Sequence, residues 1–409
     1  MVRQAFDHRW MSLSLLLLAF VGLVTVVVSS PGFFVYEEPF STADYLTVFH
    51  DHGLSRDFLT SLPGTYGPLN TFVQLAFEPL TSLSPVRMRL ENVLLLVVVG
   101  VILYFASARD DVAGRLFTAG SVLVVPTTWV LAGMALSEMP ALVFAALSLF
   151  LLCRGLQALG DKRSVLLWFL ASAVSLGVAA WGRQPYILLA GVPPVLALMD
   201  VRLRTAAALY MCVVLAMVLP LFVIWGGLTP PDFQLVRHAP SLYNSFLLLG
   251  YAGFALALLA PALLWRHRRF LLVLFAVIAL MNAVLDIWSE YPLRTAAERL
   301  LPSSVFYVYG GLCAALVLTS GIAVLAFVGH SIWQAGSDTR LVAANLSLLF
   351  MCIWPSFMDA NFSSRYMEMG LPYLVLAVEP LRQRWDSFML TATLAGSATG
   401  AISLLGYFS

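Results

Sequence analysis

Apolar runs of membrane-crossing length recur from one end of this 409-residue chain to the other. A helix takes roughly 20 apolar residues to cross the hydrocarbon. Backbone in lipid must satisfy its own hydrogen bonds, so such runs fold as helices that pack on one another. About thirteen can be marked: 11–30, 91–108, 115–133, 139–156, 165–182, 186–200, 205–226, 244–264, 270–288, 304–328, 341–358, 371–381 and 387–408. The sixth and twelfth are short, which suits tilted or re-entrant segments. The chain is 60% hydrophobic and 11% charged, against roughly 25% charged in a soluble domain. The expected fold class is therefore an all-α polytopic membrane protein, one domain over residues 1–409 with no separate soluble part. A formal net charge of +1 lacks the basic excess that a nucleic-acid partner requires.

The arginines set the expected orientation. Arg3 and Arg9 precede the first run, and Ser29-Ser30-Pro31 after it is a poor cleavage site. That reads as a retained first helix with its N-terminus in the cytoplasm. The inner loops then hold Arg109 to Arg115, Arg154 to Arg163, Arg202 to Arg204, Arg266 to Arg269, His330 to Arg340, and Arg382 to Arg384. The outer loops hold Glu37, Glu38, Asp44, Asp51, Asp57, Glu138, Asp232, Glu290, Glu298 and Asp359. This is the positive-inside pattern, sustained along the chain. Lys162 is the only lysine, a bias that suggests a GC-rich bacterial genome. Cys153, Cys212, Cys313 and Cys352 all lie in apolar runs without a CxxC motif, so buried thiols are expected.

The first outer loop, residues 31–90, is the longest, and Pro63-Gly64, Gly67-Pro68 and Pro79 break it into pieces. Leu69 to Leu80 is apolar and suits a helix on the membrane surface. The loop opens on Glu37-Glu38, between Phe33, Phe34 and Tyr36 on one side and Pro39 and Phe40 on the other. A solvated loop start is one reading of this pair. The other is chemical, because aromatic surroundings strip water from a carboxylate and move it toward the range of a general base. Adjacent residues in extended backbone point apart, so one acid of the two is expected to face a reaction. Arg183 and Gln184, in Trp181-Gly182-Arg183-Gln184-Pro185-Tyr186, form a second cluster. Arg183 is either an interfacial arginine or an anion site, since its planar fork fits phosphate oxygens. Arg365-Tyr366, with Pro372-Tyr373 beyond, is a third cluster, and His238 beside Arg237 is a fourth. His238 is either structural or placed to touch a sugar hydroxyl. Asp286 has Arg294 or Arg299 as a plausible partner, and 290–299 suits a short lid helix. No metal-ligand spacing, glycine-rich phosphate loop or Ser-His-Asp arrangement is evident. Arginines and carboxylates gathered on one membrane face suit a lipid phosphate, whose tail lies in the bilayer while its head is held at the interface.

These motifs, in order, resemble the GT-C type membrane glycosyltransferases. Among these the chain is most similar to the dolichol-phosphate-glucose-dependent alpha-1,2-glucosyltransferases of the lipid-linked oligosaccharide pathway. That family opens its first lumenal loop with Asp-Glu-x-Phe-His, where this chain has Glu37-Glu38-Pro39-Phe40-Ser41. Its Thr-Thr-Leu-Pro-Gly-x-Tyr is matched by Thr60 to Tyr66 at five of six specified positions. Its Phe-Arg-Gln-Thr-Asn-Ile is matched by Gly182-Arg183-Gln184-Pro185-Tyr186-Ile187. Its late Phe-Arg-Tyr and Leu-Pro-Tyr are matched by Ser364-Arg365-Tyr366 and Leu371-Pro372-Tyr373. His238 and Tyr243 echo a further His…Tyr spacing. Glu37 stands where the family has Asp, which lengthens the arm. Ser41 stands where it has His, and the chain is shorter than the eukaryotic enzymes.

The resemblance implies a GT-C-like bundle with a long first extracytoplasmic loop. It implies an inverting hexosyltransferase that moves a hexose, glucose foremost, from a polyprenyl-phosphate donor to a glycan, lipid or protein hydroxyl. Glu37 or Glu38 would be the catalytic base. Arg183, Arg365 and Gln184 would hold the donor phosphate, and Tyr66, His238 and Tyr366 would contact sugar or acceptor. No cofactor or metal is required, although an acid pair could recruit a divalent ion. The expected location is a bacterial plasma membrane with the site facing outward, or an ER membrane with a lumenal site in a eukaryote. A transporter or flippase of a lipid-linked sugar is the rival reading, since the same arginines could grip the phosphate with no bond made. A structural subunit of a membrane complex is a second rival.

Overall fold

The computed structural model describes residues 2–34, 38–39, 42–233, 240, 242–285, 302–336, 338–358, 363–381 and 387–408, and it is overwhelmingly helical. Among these residues, ten helices are long and apolar enough to cross a membrane. They are Arg9–Val28, Pro85–Ala106, Glu138–Gln157, Lys162–Gly182, Val201–Trp225, Leu242–Leu259, Arg268–Leu285, Val305–Ala335, Thr339–Phe357 and Phe388–Tyr407. By length and composition the chain is a multi-pass membrane protein.

Ten is fewer than the expected thirteen, and prolines explain most of the difference. The third expected run is a pair, Val112–Val124 and Pro126–Gly133, bent by 79° at Pro126, where the ring removes a backbone donor. Counting that pair as one span gives eleven. The sixth and twelfth runs are each a 3-10 stretch followed by a short α-helix. In the sixth, Gln184–Gly191 leads into Val192–Met199. In the twelfth, Ser364–Gly370 leads into Leu371–Val378. Pro185, Pro193 and Pro372 sit at the starts of three of these four pieces. A 3-10 helix rises about 2.0 Å per residue, so eight residues of it plus eight of α-helix reach about 28 Å. The twelfth segment accordingly runs between the two ends of the bundle. Arg365 lies beside Glu138 at one end. At the other, Glu379 accepts from the Ser107 hydroxyl, the Ala108 amide at 2.9 Å and the Thr118 hydroxyl at 3.0 Å.

That second end is rich in arginine. Arg9 pairs with Asp111 there, Arg109 donates to the Glu379 carbonyl at 3.2 Å, and Arg340 donates to the Ala106 carbonyl at 3.1 Å. The hairpin joining Glu138–Gln157 to Lys162–Gly182 turns at the same end. Asp161 caps its second helix by accepting from the Ser164 hydroxyl at 2.6 Å and the Arg163 amide at 3.0 Å, which holds its carboxyl below the usual carboxylate range. Within the apolar layer, hydroxyls of Ser148, Ser172 and Tyr210 join three helices at 2.7–3.3 Å, the polar glue expected where lipid supplies no hydrophobic drive. Helix Leu242–Leu259 lies so close to Ser303–Ala335 that a Cβ on Gly253 would fall 2.4 Å from the Ser320 carbonyl oxygen. Helix Arg268–Leu285, by contrast, has only 6% of its apolar window buried and presents Leu272, Val273, Leu280 and Val284 outward.

The opposite end carries the long first loop, folded into helices Ala43–His52, Arg56–Thr60 and Leu69–Thr81. Tyr45, Phe58 and Leu62 are buried against Leu221 and Trp225, and the Trp225 indole donates to the Leu59 carbonyl at 2.8 Å. Burial also pushes the Tyr45 hydroxyl well above its ordinary range, keeping it a neutral donor. Helix Leu69–Thr81, too short to cross, turns polar Asn70, Thr71 and Gln74 into the bundle. Gln74 donates to Glu91 at 3.0 Å.

Candidate functional site

A cavity of about 410 Å³ opens at the end that carries the first loop. Three parts of the chain bring it polar groups: Thr65 and Tyr66 from the loop, Arg183 and Gln184 where helix Lys162–Gly182 ends, and Arg365 and Tyr366 from the 3-10 stretch. Glu138, the first residue of Glu138–Gln157, is a fourth contributor. The rest of the wall is largely apolar, including Ile187, Leu188, Phe222, Leu228, Phe357 and Met369.

The loop is tied to the 182–184 turn at three points. The Gly67 amide donates to the Gly182 carbonyl at 3.3 Å, and the Gln184 side chain donates to the Thr65 carbonyl at 2.9 Å. The Arg183 guanidinium lies 3.8 Å from the centre of the Tyr66 ring, within the range of a cation–π contact. A Cβ on Gly67 would sit 1.9 Å from the Trp181 carbonyl oxygen, so only glycine lets the two backbones meet.

The charges centre on Glu138. It forms an ion pair with Arg183, and Arg365 approaches the same carboxylate oxygen at 4.0 Å. Arg183 also donates to the Ser137 hydroxyl at 3.3 Å, and Arg365 Nε donates to the Ser363 hydroxyl at 3.2 Å. Trp354 meets the Tyr366 ring edge-on at 5.2 Å. The other oxygen of Glu138, Oε2, is buried with no hydrogen-bond partner among the described residues, and so is Arg183 Nε.

Of the sequence-predicted residues, the cavity brings together Tyr66, Arg183, Gln184, Arg365 and Tyr366. It does not include Glu38. That carboxylate is wholly buried in a two-pronged pair with Arg89, with both bonds at 2.7 Å. It also accepts from the Ala135 amide at 2.9 Å and the Phe34 amide at 3.2 Å. Arg89 spends its remaining donors on the Ser30 and Gly32 carbonyls, both at 2.6 Å, and lies over the Phe34 and Phe408 rings. With its lone pairs taken by four N–H groups, Glu38 is an anchor. Through Ala135 it holds the turn 134–137, which Asn92 also grips at the Met134 and Leu136 carbonyls. That turn delivers Glu138 to the cavity. Glu37 and His238 lie outside the described residues, as do Asp286, Glu290, Arg294 and Arg299.

In the sequence Glu138 is only one acid among those of the outer loops. Its neighbours Ser137 and Met139 give no local sign of a site, and only the tertiary contacts single it out. Groups of three or more His, Cys, Asp or Glu residues able to hold a metal do not occur among the described residues.

No protein-family model matches the chain, and no curated protein matches it at a significant level. Among solved structures, it overlaps ArnT from Cupriavidus metallidurans bound to undecaprenyl phosphate. The identity is 16%, over 90% of this chain and 76% of that one, with a TM-score of 0.45. It also overlaps the archaeal oligosaccharyltransferase AglB from Archaeoglobus fulgidus in complex with an inhibitory peptide and a dolichol-phosphate. There the identity is 12%, over 96% of this chain and 56% of that one, with a TM-score of 0.49. The chain thus spans little more than half the length of AglB. Identities this low and overlaps this partial leave function to the residues themselves.

Proposed function

We propose that the chain is a membrane glycosyltransferase that moves a hexose, glucose foremost, from a polyprenyl-phosphate carrier to an acceptor hydroxyl on the outward or lumenal membrane face. The observation that carries this is the meeting of Arg183 and Arg365, from distant parts of the sequence, in one cavity with otherwise largely apolar walls. Two guanidinium forks suit a phosphate, and the apolar wall suits a prenyl chain.

The reaction asks little else of the protein. The acceptor O–H attacks the anomeric carbon as the sugar–phosphate C–O bond breaks. The bonding pair stays on the phosphate oxygen, and the proton passes to a carboxylate. Phosphate leaves without being protonated, so one acid suffices where a glycosidase needs two. A single displacement inverts the anomeric centre. Arg183 and Arg365 stabilise the charge that grows on the phosphate. Glu37 is the base in this scheme, because its neighbour Glu38 is committed to Arg89. Gln184, Tyr66 and Tyr366 orient the phosphate or the sugar, and His238 serves the acceptor side. The acceptor is a glycan, lipid or protein hydroxyl. The scheme uses no metal.

The test is a screen of polyprenyl-phosphate hexoses against purified protein in detergent, read by mass spectrometry. A transferred or hydrolysed sugar is expected, with loss of product in Glu37→Gln and Arg365→Ala variants that remain folded. Absence of product from every donor, with lipid phosphate still bound, would favour a flippase instead.

A further inference from the structure

A second pocket, of about 430 Å³, lies at the arginine-rich end, where its wall includes Leu341, next to Arg340, and Leu381, close to Glu379. One side of it is a single face of helix Ser303–Ala335. Ala323, Ala326 and Phe327 are followed along that face by His330, Ser331 and Gln334. The spacing of three and four residues puts all six in one stripe. The stripe is apolar where it begins and polar where the helix ends. From Ala323 to Gln334 it covers about 17 Å, close to the hydrocarbon depth of one leaflet, about 15 Å. The start of helix Arg268–Leu285 adds Phe270 and Leu271, with His267 just before it. That helix is the one with only 6% of its apolar window buried, so the pocket lies at the lipid edge of the bundle.

The polar end of the pocket offers donors. Ser331 Oγ accepts from the Asn345 side chain at 3.0 Å, which leaves the Ser331 proton for another acceptor. His267, His330 and Gln334 carry further N–H groups. Arg266 and Arg269 flank His267 and are exposed, whereas Arg268 is engaged with the Trp265 carbonyl at 3.0 Å and the Trp265 ring. The sequence has no Asp or Glu between Asp232 and Asp286. Two acids at this end have other partners: Asp338 accepts from the amides of Arg340 and Leu341, and Glu379 from Ser107, Ala108 and Thr118. Beyond Leu381 the chain continues as Arg382-Gln383-Arg384-Trp385-Asp386, outside the described residues. We infer that this pocket seats one anionic phospholipid of the leaflet at the arginine-rich end. An acyl chain lies along Ala323, Ala326 and Phe327, and the phosphate meets Ser331, the two histidines and the arginines beside them. Basic residues near the membrane surface attract anionic lipid in any case. The pocket adds a place for the chain, which a free phosphate would leave empty.

The experiment is native mass spectrometry of the purified full chain in detergent, titrated with dioleoyl phosphatidylglycerol or dioleoyl phosphatidylcholine. The two lipids share their chains and differ in headgroup charge. Wild type should hold one phosphatidylglycerol about tenfold or more tighter than phosphatidylcholine, and glycerol phosphate, which has no chains, should not displace it. Arg266→Gln combined with Arg269→Gln should remove the preference. Ala326→Trp, which fills the pocket and keeps every arginine, should weaken phosphatidylglycerol by a similar factor; Ala323→Phe takes its place if that variant fails to fold. Arg365→Gln, at the other end of the bundle, should bind phosphatidylglycerol as wild type does. Equal affinity for the two lipids overturns the inference. Displacement by glycerol phosphate overturns it in favour of a free-phosphate site. Undiminished binding in the pocket-filling variants overturns it in favour of attraction to the loop surface alone. Loss of binding in Arg365→Gln overturns it by placing the lipid in the first cavity.

Discussion

At the scale of single residues, this protein keeps two buried acid–arginine systems at one end and uses them differently. Glu38 and Arg89 are saturated with donors and acceptors, so the pair is a strut. Breaking such a pair strands a buried charge, and Arg89→Leu should cost about 3–5 kcal/mol. That is measurable as a lowered unfolding midpoint in detergent, and Glu38→Gln added to it should recover part of the loss. Glu138 and Arg183 each keep one buried atom without a hydrogen-bond partner among the described residues, and with Arg365 they line a cavity. Lysine keeps the charge of arginine but not its fork. Arg365→Lys should therefore lower sugar transfer by about 10- to 100-fold with little change in unfolding temperature. Equal losses of stability and activity would instead mark Arg365 as structural.

At the scale of elements, the site is made where helices stop. Arg183 closes one helix, Glu138 opens another, and Arg365 sits in a 3-10 stretch that lengthens a segment otherwise too short. At these ends the three side chains line one cavity. The first loop meets the turn beside the cavity at its closest where the backbones of Gly67 and Trp181 touch. Gly67→Ala should push the loop off the turn, separate Tyr66 from Arg183, and reduce activity more than stability. Proteolysis of the loop is expected to quicken in that variant, and an unchanged digestion rate would contradict this account. Leu69–Thr81 shows what composition leaves open: the run is apolar, yet Asn70, Thr71 and Gln74 are buried against the bundle, and Gln74 donates to Glu91.

At the scale of the whole molecule, the arginine-rich end and the cavity end lie opposite each other, and the positive-inside pattern would put the cavity outside. With the native cysteines replaced by serine, a cysteine at Ser61 should react with an impermeant maleimide on intact cells. One at exposed Gly160 should react only after permeabilisation. The reverse pattern would invert the proposed topology. Membrane character, the helices and their order were legible in the chain, because each long apolar run must satisfy its own backbone locally. Arg183, Gln184, Arg365 and Tyr366 could be picked out too, as polar residues breaking apolar sequence, while Tyr66 entered only through the resemblance of its motif. Three things were decided only by tertiary packing. Glu38 became an anchor, Glu138 came to lie between two arginines, and short segments were stretched into 3-10 helix to reach across. The reason is physical: hydrophobic periodicity is a local property, whereas the partner of a buried charge is whatever the fold brings within a few ångströms of it.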